Sequence, residues 1–319
     1  MTDQRSFSRT FRLGPLAYQL WFRPLAAVRN SLRHGGPFAV RETERQRREM
    51  AAAAAHLPPL PTPAGVPLLV HLLTGRRFAY QTAFCLHSLA RHCPVPVHAE
   101  IYDDGSLDAE SRALLARLGP AVQIHPQAEI LASLEKFLPA SRYPTLRERW
   151  LHYPNLRKLI DVHLGRSGWR LVLDSDLMFF RRPTLLLDWS AAPNAPLHAV
   201  DCAESYGYSR PLMEELARAP IPPLVNVGLC GLRSDTLDWG ELEHWCTTLI
   251  AREKTNYYLE QALVAMLVAR APNHTIAPAT DYVTLPSPAE IAAPTAVMHH
   301  YVDTAKRGYF RTAWRQTLP

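Results

Sequence analysis

Glycine-rich loops, paired cysteines and long apolar runs are all missing from this chain of 319 residues. Only 14 glycines occur, and the segment Leu73-Thr74-Gly75-Arg76-Arg77-Phe78 after the first expected strand holds just one of them. A nucleotidyltransferase normally cradles its triphosphate in a glycine-rich loop at that point, so that class is disfavoured. The five cysteines (Cys85, Cys93, Cys202, Cys230, Cys246) are odd in number and never spaced Cys-x-x-Cys. That argues against a disulfide framework or a structural zinc site and fits a reducing, cytoplasmic compartment. No apolar run attains the roughly 18 residues that a membrane-spanning helix needs. The opening Met1-Thr2-Asp3-Gln4-Arg5 also lacks the apolar core of a secretory signal. Lysine is nearly absent, with 4 against 31 arginines.

Charge of one sign is missing from most of the chain as well. Residues 1–50 carry 10 arginines against 4 acids, and residues 51–319 carry 25 basic against 25 acidic side chains. The whole net charge of +6 therefore belongs to the N-terminal arm. A neutral body with no nucleic-acid motif is not expected to grip nucleic acid. Within the arm, Leu13, Leu16, Leu20, Trp21, Phe22, Leu25 and Val28 alternate with arginines. This reads as an amphipathic helix interrupted at Pro24. It either packs on the main domain or makes a peripheral contact with the inner face of an anionic membrane. A charged helical run, Arg41 to Met50, leads through five alanines to Pro58-Pro59-Leu60-Pro61-Thr62-Pro63, a stiff linker. The expected organisation is a basic helical extension with its linker over residues 1–63 and one domain over 64–319.

From residue 65 strands and helices alternate. Pro67 to Leu73 is an apolar strand, Arg76 to Arg91 has helical spacing, and Val95 to Ile101 alternates as a second strand. Asp103-Asp104-Gly105-Ser106 forms a turn whose serine is expected to cap the next helix, which stops at Gly119-Pro120. Val122 to His125 is a third strand, and Leu146 to Leu164 is helical on both sides of Pro154. The strands Trp169 to Leu173, Leu197 to Asp201 and Val225 to Arg233 follow. Two helices (about 237–252 and 257–269) then lead to a last strand, Ala296 to Tyr301. This order implies an α/β fold with a mostly parallel mixed sheet flanked by helices, its carboxyl-terminal edge carrying the ligands.

The chemistry concentrates at Asp174-Ser175-Asp176. Residues i and i+2 of an extended chain face the same way, so two carboxylates stand side by side at the end of a buried strand. They repel unless a cation sits between them, and a hard divalent ion such as Mn²⁺ or Mg²⁺ resolves the conflict. Asp-x-Asp alone is weak, since about 0.5 such triplets are expected by chance. The apolar strand before it and Leu177-Met178-Phe179-Phe180 after it favour a metal site over two solvated loop aspartates. His299-His300 follow the last strand, and Lys306 follows them. There an imidazole can reach the same ion and an ammonium can neutralise a phosphate.

These motifs resemble glycosyltransferase family 8, a group with the GT-A fold, over residues 65–310. In that family an Asp-x-Asp follows a strand, an Asn-x-Gly follows on a later strand (Asn226-Val227-Gly228), and an acid-Gln pair opens a helix (Glu260-Gln261). A His-x5-Lys closes the set, which selects His300 with Lys306. Asp303 stands where the family has glycine, and Arg307-Gly308 replaces its Pro-Trp. The resemblance implies that Asp174, Asp176 and His300 hold Mn²⁺ (or Mg²⁺) and that Lys306 contacts the diphosphate. It further implies that Thr74 and Phe78 hold the nucleoside, that Lys158 faces the phosphates or sugar, and that Asp201, Asn226 and Gln261 line the sugar and acceptor pocket. Asp103 looks more like the nucleotide-reading acid of family 2 enzymes. Taken alone, Phe78 fits a core position as well as a stacking one, Asp103 fits a polar turn, and Asp201 and Asn226 fit strand-end backbone partners.

The implied activity is metal-dependent transfer of a sugar from a nucleotide diphosphate sugar, UDP favoured, to a hydroxyl on a glycan, lipid-linked or protein acceptor. Retention of configuration is implied. The alternatives are an inverting transferase, with Asp201 or Glu260 as base, and a catalytically silent binding or scaffold protein of the same fold.

Overall fold

The computed structural model describes residues 35–255 and 257–318. The chain divides into two compact units, one ending at Arg48 and one beginning at Glu49. The expected charged helix is present as Pro37–Ala54 and runs across that division. The amphipathic segment 13–33 lies outside the described residues. Among the described residues no helix is long and apolar enough to cross a membrane, and all five cysteines are free thiols.

The second unit is built on a seven-stranded sheet in the order β3 (Val122–His125), β2 (Val97–Asp103), β1 (Leu68–Thr74), β4 (Trp169–Leu173), β7 (Val225–Arg233), β6 (Leu197–Val200), β8 (Thr275–Ala277). Neighbours are parallel except around β7, which runs antiparallel to both β4 and β6. This is the α/β, mostly parallel mixed sheet that the alternation implied. Its carboxyl-terminal edge collects the residues after Thr74, Asp103, Leu173 and Val200, and the start of β7 lies there too.

Two cores result from the period-2 alternation of the strands. Leu68, Val70, Leu72, Leu171 and Leu173 face one side, against the helix Ala79–His92, which is buried from Ala79 through Ala90. Tyr102, Val172, Cys230 and Leu232 face the other, against the helices Pro154–His163 and Leu259–Arg270. Each fully buried leucine contributes about 1.5–3 kcal/mol, and this burial holds the edge loops in place.

Several local expectations are corrected. Asp108, not Ser106, caps the helix Ala109–Ala116, accepting from Ser111 N. Ser106 instead donates to Asp104 Oδ1 and accepts from Arg76 N, which closes the turn beside β1. The last strand is also not part of the main sheet. β10 (Met298–His300) forms a separate sheet between β5 (Leu177–Phe179), antiparallel to it, and β9 (Tyr282–Thr284), parallel to it. These strands are three residues long, too short for a periodicity signal. Leu57, just before the proline stretch, and Leu60, inside it, are buried in the main core, and Leu60 N donates to the Leu118 carbonyl at 2.8 Å.

Candidate active site

β4 ends at Leu173 and β5 begins at Leu177, so the Asp-x-Asp is the turn between the two sheets. The chain enters it under backbone control. Asp174 N donates to the Gly228 carbonyl at 2.7 Å, and Tyr301 N donates to the Asp176 carbonyl at 3.2 Å. Because His300 pairs with Leu177 across the small sheet, its ring lies beside the acids. His300 Nε2 is 3.3 Å from Asp176 Oδ1 and 3.7 Å from Asp174 Oδ2. One ligand atom from each of Asp174, Asp176 and His300 falls within 4.8 Å of the others, the metal-competent grouping found among the described residues. His299, its neighbour, is turned away. It contacts Tyr301 Oη and Glu290 Oε1 at 2.9 and 3.0 Å.

The imidazole can lie there only because position 228 has no side chain. A Cβ on Gly228 would stand 2.3 Å from His300 Cε1 and 2.7 Å from its Nδ1. β7 is also irregular at this point. His198 pairs with Cys230 but Ala199 pairs with Asn226, so β7 bulges over residues 227–229. Bulges re-aim side chains next to active sites. Here the irregularity brings Asn226 Oδ1 back to accept from Gly228 N at 2.8 Å.

Each acid has its own lysine. Lys158, buried on the helix Pro154–His163, donates to Asp174 Oδ1 at 2.7 Å and to the Val227 carbonyl at 3.1 Å. Its ammonium is also 3.5 Å from Glu260 Oε1. Lys306 donates to Asp176 Oδ2. Burial pulls Lys158 down, but Asp174 and Glu260 outweigh it and hold its pKa above the ordinary lysine value. Burial likewise works to raise Asp176, yet Lys306 and His300 keep it well below the usual carboxylate range. Burial lifts Glu260 to about 7, against the pull of Lys158. The donor set suits a divalent cation, because two carboxylates and an imidazole match Mn²⁺ or a similar ion. His300 Nδ1 is buried and finds no partner among the described residues, while Nε2 faces the acids.

The remaining expected residues are distributed along the same sheet edge. Asp201 follows β6, and its Oδ1 accepts from Cys202 N while Oδ2 accepts from Gln261 Nε2, both at 2.7 Å. Gln261 Nε2 also donates to the Val225 carbonyl at 2.9 Å, tying the helix Leu259–Arg270 to the start of β7. Phe78 is 41 % exposed, which excludes the core position and leaves its ring open at the end of β1. Thr74 is buried, with its hydroxyl 2.8 Å from that of Thr82. Asp103 is buried too and its oxygens are committed. Oδ1 accepts from Gly105 N and Leu107 N, and Oδ2 accepts from Arg112. The neighbouring Asp104 packs against Gly75, where a Cβ would lie 2.0 Å from its Oδ2. Sequence reasoning missed the Lys158–Glu260 contact and the part played by Gly228. A charged residue on an apolar helix face was the one available signal for the former.

Asp303, which occupies the glycine position of the family motif, has φ of +45°. Aspartate tolerates this left-handed region better than most residues, which lets the chain turn between His300 and Lys306.

No protein-family model matches the chain, and no curated protein matches it. Solved glycosyltransferase structures match it over most of its length at low identity. Mouse xyloside xylosyltransferase 1 in its apo form is 14 % identical with a TM-score of 0.49, covering 74 % of this chain and 97 % of its own. The galactosyltransferase LgtC with donor and acceptor sugar analogues is 14 % identical with a TM-score of 0.48, covering 78 % and 100 %. The bifunctional glycosyltransferase WbbM is 15 % identical with a TM-score of 0.48, covering 82 % of this chain and 52 % of its own.

Proposed function

We propose that the chain is a metal-dependent glycosyltransferase that moves a sugar from a nucleotide diphosphate sugar, UDP favoured, to an acceptor hydroxyl. The observation that carries this reading is the convergence of Asp174, Asp176 and His300 within 4.8 Å at the carboxyl-terminal edge of the sheet, with Lys306 on Asp176. When bound, Mn²⁺ (or Mg²⁺) holds the donor's phosphates and offsets the charge that builds on the leaving diphosphate. Lys306, 30 % exposed, supplies a second positive charge to that diphosphate. The exposed ring of Phe78 stacks on the base. Lys158 fixes the orientation of Asp174, and Asp201, Asn226 and Gln261 shape the sugar and acceptor pocket. A glycan, a lipid-linked sugar or a protein side chain can serve as acceptor.

Retention of configuration is the favoured outcome. An inverting enzyme needs a carboxylate base. Both Asp201 oxygens already accept hydrogen bonds, and Glu260 is buried against Lys158. In this reading the acceptor hydroxyl attacks on the face the diphosphate leaves, and a phosphate oxygen takes its proton. A donor-hydrolysis screen over UDP- and GDP-sugars tests the reading. Mn²⁺-dependent, chelator-sensitive release of UDP supports it. Donor binding without turnover on any donor–acceptor pair supports the silent scaffold instead.

A further inference from the structure

Ser175 lies between the two acids, so its side chain projects opposite to theirs, into the protein. There its Oγ lies 2.8 Å from Thr82 Oγ1, and Thr82 Oγ1 lies 2.8 Å from Thr74 Oγ1. Thr82 is fully buried on the helix Ala79–His92, and Thr74 is the buried last residue of β1. One turn further along the same helix, Cys85 Sγ reaches the Asp174 carbonyl at 3.6 Å. A single helix face thus holds both the side chain of Ser175 and the backbone of Asp174.

We propose that Thr74, Thr82 and Ser175 form a hydroxyl relay that positions the Asp-x-Asp turn for its metal, with Thr82 as the pivot. The proposal rests on the metal-dependent reading above and adds positioning residues to it. A hydroxyl has one proton to donate and two lone pairs to accept with. Thr82 is the member that meets both neighbours, so its loss strands Thr74 and Ser175 together. Removing a group that orients metal ligands typically weakens metal binding about 10- to 100-fold. Thr82 touches neither metal nor substrate and acts only by holding the turn.

The test is titration of the full chain with Mn²⁺, reading free ion by electron paramagnetic resonance, with no donor or acceptor present. Thr82→Val, which keeps the shape and removes the hydroxyl, is expected to weaken Mn²⁺ binding at least about tenfold. Thr82→Ser, which keeps the hydroxyl, is expected to restore it. Ser175→Ala is half-buried and less disruptive, so it keeps the test readable if Thr82→Val disturbs the fold. It is expected to weaken binding in the same direction, and adding it to Thr82→Val should cost little more. Wild-type affinity in folded Thr82→Val or Ser175→Ala overturns the relay alone. A wild-type chain that binds no Mn²⁺, either alone or with UDP added, overturns the metal reading and the relay with it.

Discussion

Lys306 and Asp176 bring opposite charges together where the donor's diphosphate is proposed to lie, and the ammonium helps hold the Asp176 carboxyl below the usual carboxylate range. The ammonium is partly exposed, so it can serve a phosphate without leaving its place in the chain. Charge that matters most as the sugar–phosphate bond breaks shows in turnover before it shows in binding. Lys306→Ala should therefore lower kcat for donor turnover at least about tenfold, a change of about 1.4 kcal/mol in barrier, while donor KM moves less. Unchanged kcat with a raised KM would contradict that role. A second residue-scale prediction lies away from the site. Asp161 is buried under Trp150, whose Nε1 donates to its Oδ1 at 2.6 Å, and its Oδ2 finds no partner among the described residues. Burial raises its pKa from 3.8 to about 7. Since the folded value exceeds the unfolded one, its stabilising contribution is complete below pH 3.8 and is lost as pH rises through about 7. Asp161→Asn keeps the acceptor for Trp150 and cannot ionise. Its Tm relative to wild type should rise between about pH 4 and pH 7 and level off above that, and a pH-independent difference would show the burial effect to be absent.

At the scale of elements, the main sheet was legible, apart from the three-residue β8, because its other strands are four to nine residues long and carry continuous or alternating apolar runs. Trp169–Leu173 and Val225–Arg233 fall where hydrophobic pattern alone placed them. The small sheet was not legible, because three-residue strands carry no period and owe their form to tertiary pairing. The same limit applies within the candidate site. Asp174, Asp176 and His300 could be named from motif spacing, whereas the need for glycine at 228 depends on an imidazole that arrives from 72 positions later in the chain. That need gives a sharp prediction. Gly228→Ala places a methyl group against the His300 ring, and the ring must move off the acids. Overpacking of this kind costs about 1–3 kcal/mol. Loss of Mn²⁺ binding together with a lowered Tm is expected, and wild-type Mn²⁺ affinity would show that the ring has room to spare.

For the whole molecule, the organising question is where the folded body begins. The proline stretch reads as a linker in composition, and that signal proposes a body starting near residue 64, while the packing proposes an earlier start. Met50, Ala54, Leu57 and Leu60 nevertheless lie in the main core, and Arg315 bridges to Glu49 at 2.6 Å. A chain beginning at residue 64 gives up these contacts, at about 1.5–3 kcal/mol for each large apolar side chain. It should melt well below a chain beginning at Glu49, and equal Tm values would place the boundary at the prolines after all. The basic arm explains the net charge without assigning it a partner, and liposome flotation of the full chain against the shortened one reports whether it meets a membrane. The account as a whole depends on one ion held together with one nucleotide. A ligand at 100 times its Kd stabilises the folded state by about 2.7 kcal/mol. The deciding measurement is the melting temperature of the wild-type chain and Asp176→Asn with UDP, with Mn²⁺ and with both. UDP and Mn²⁺ together should raise the wild-type Tm more than the sum of each alone, and Asp176→Asn should lose that excess while melting normally by itself. A UDP shift that ignores Mn²⁺, or an excess that survives in Asp176→Asn, would contradict the account.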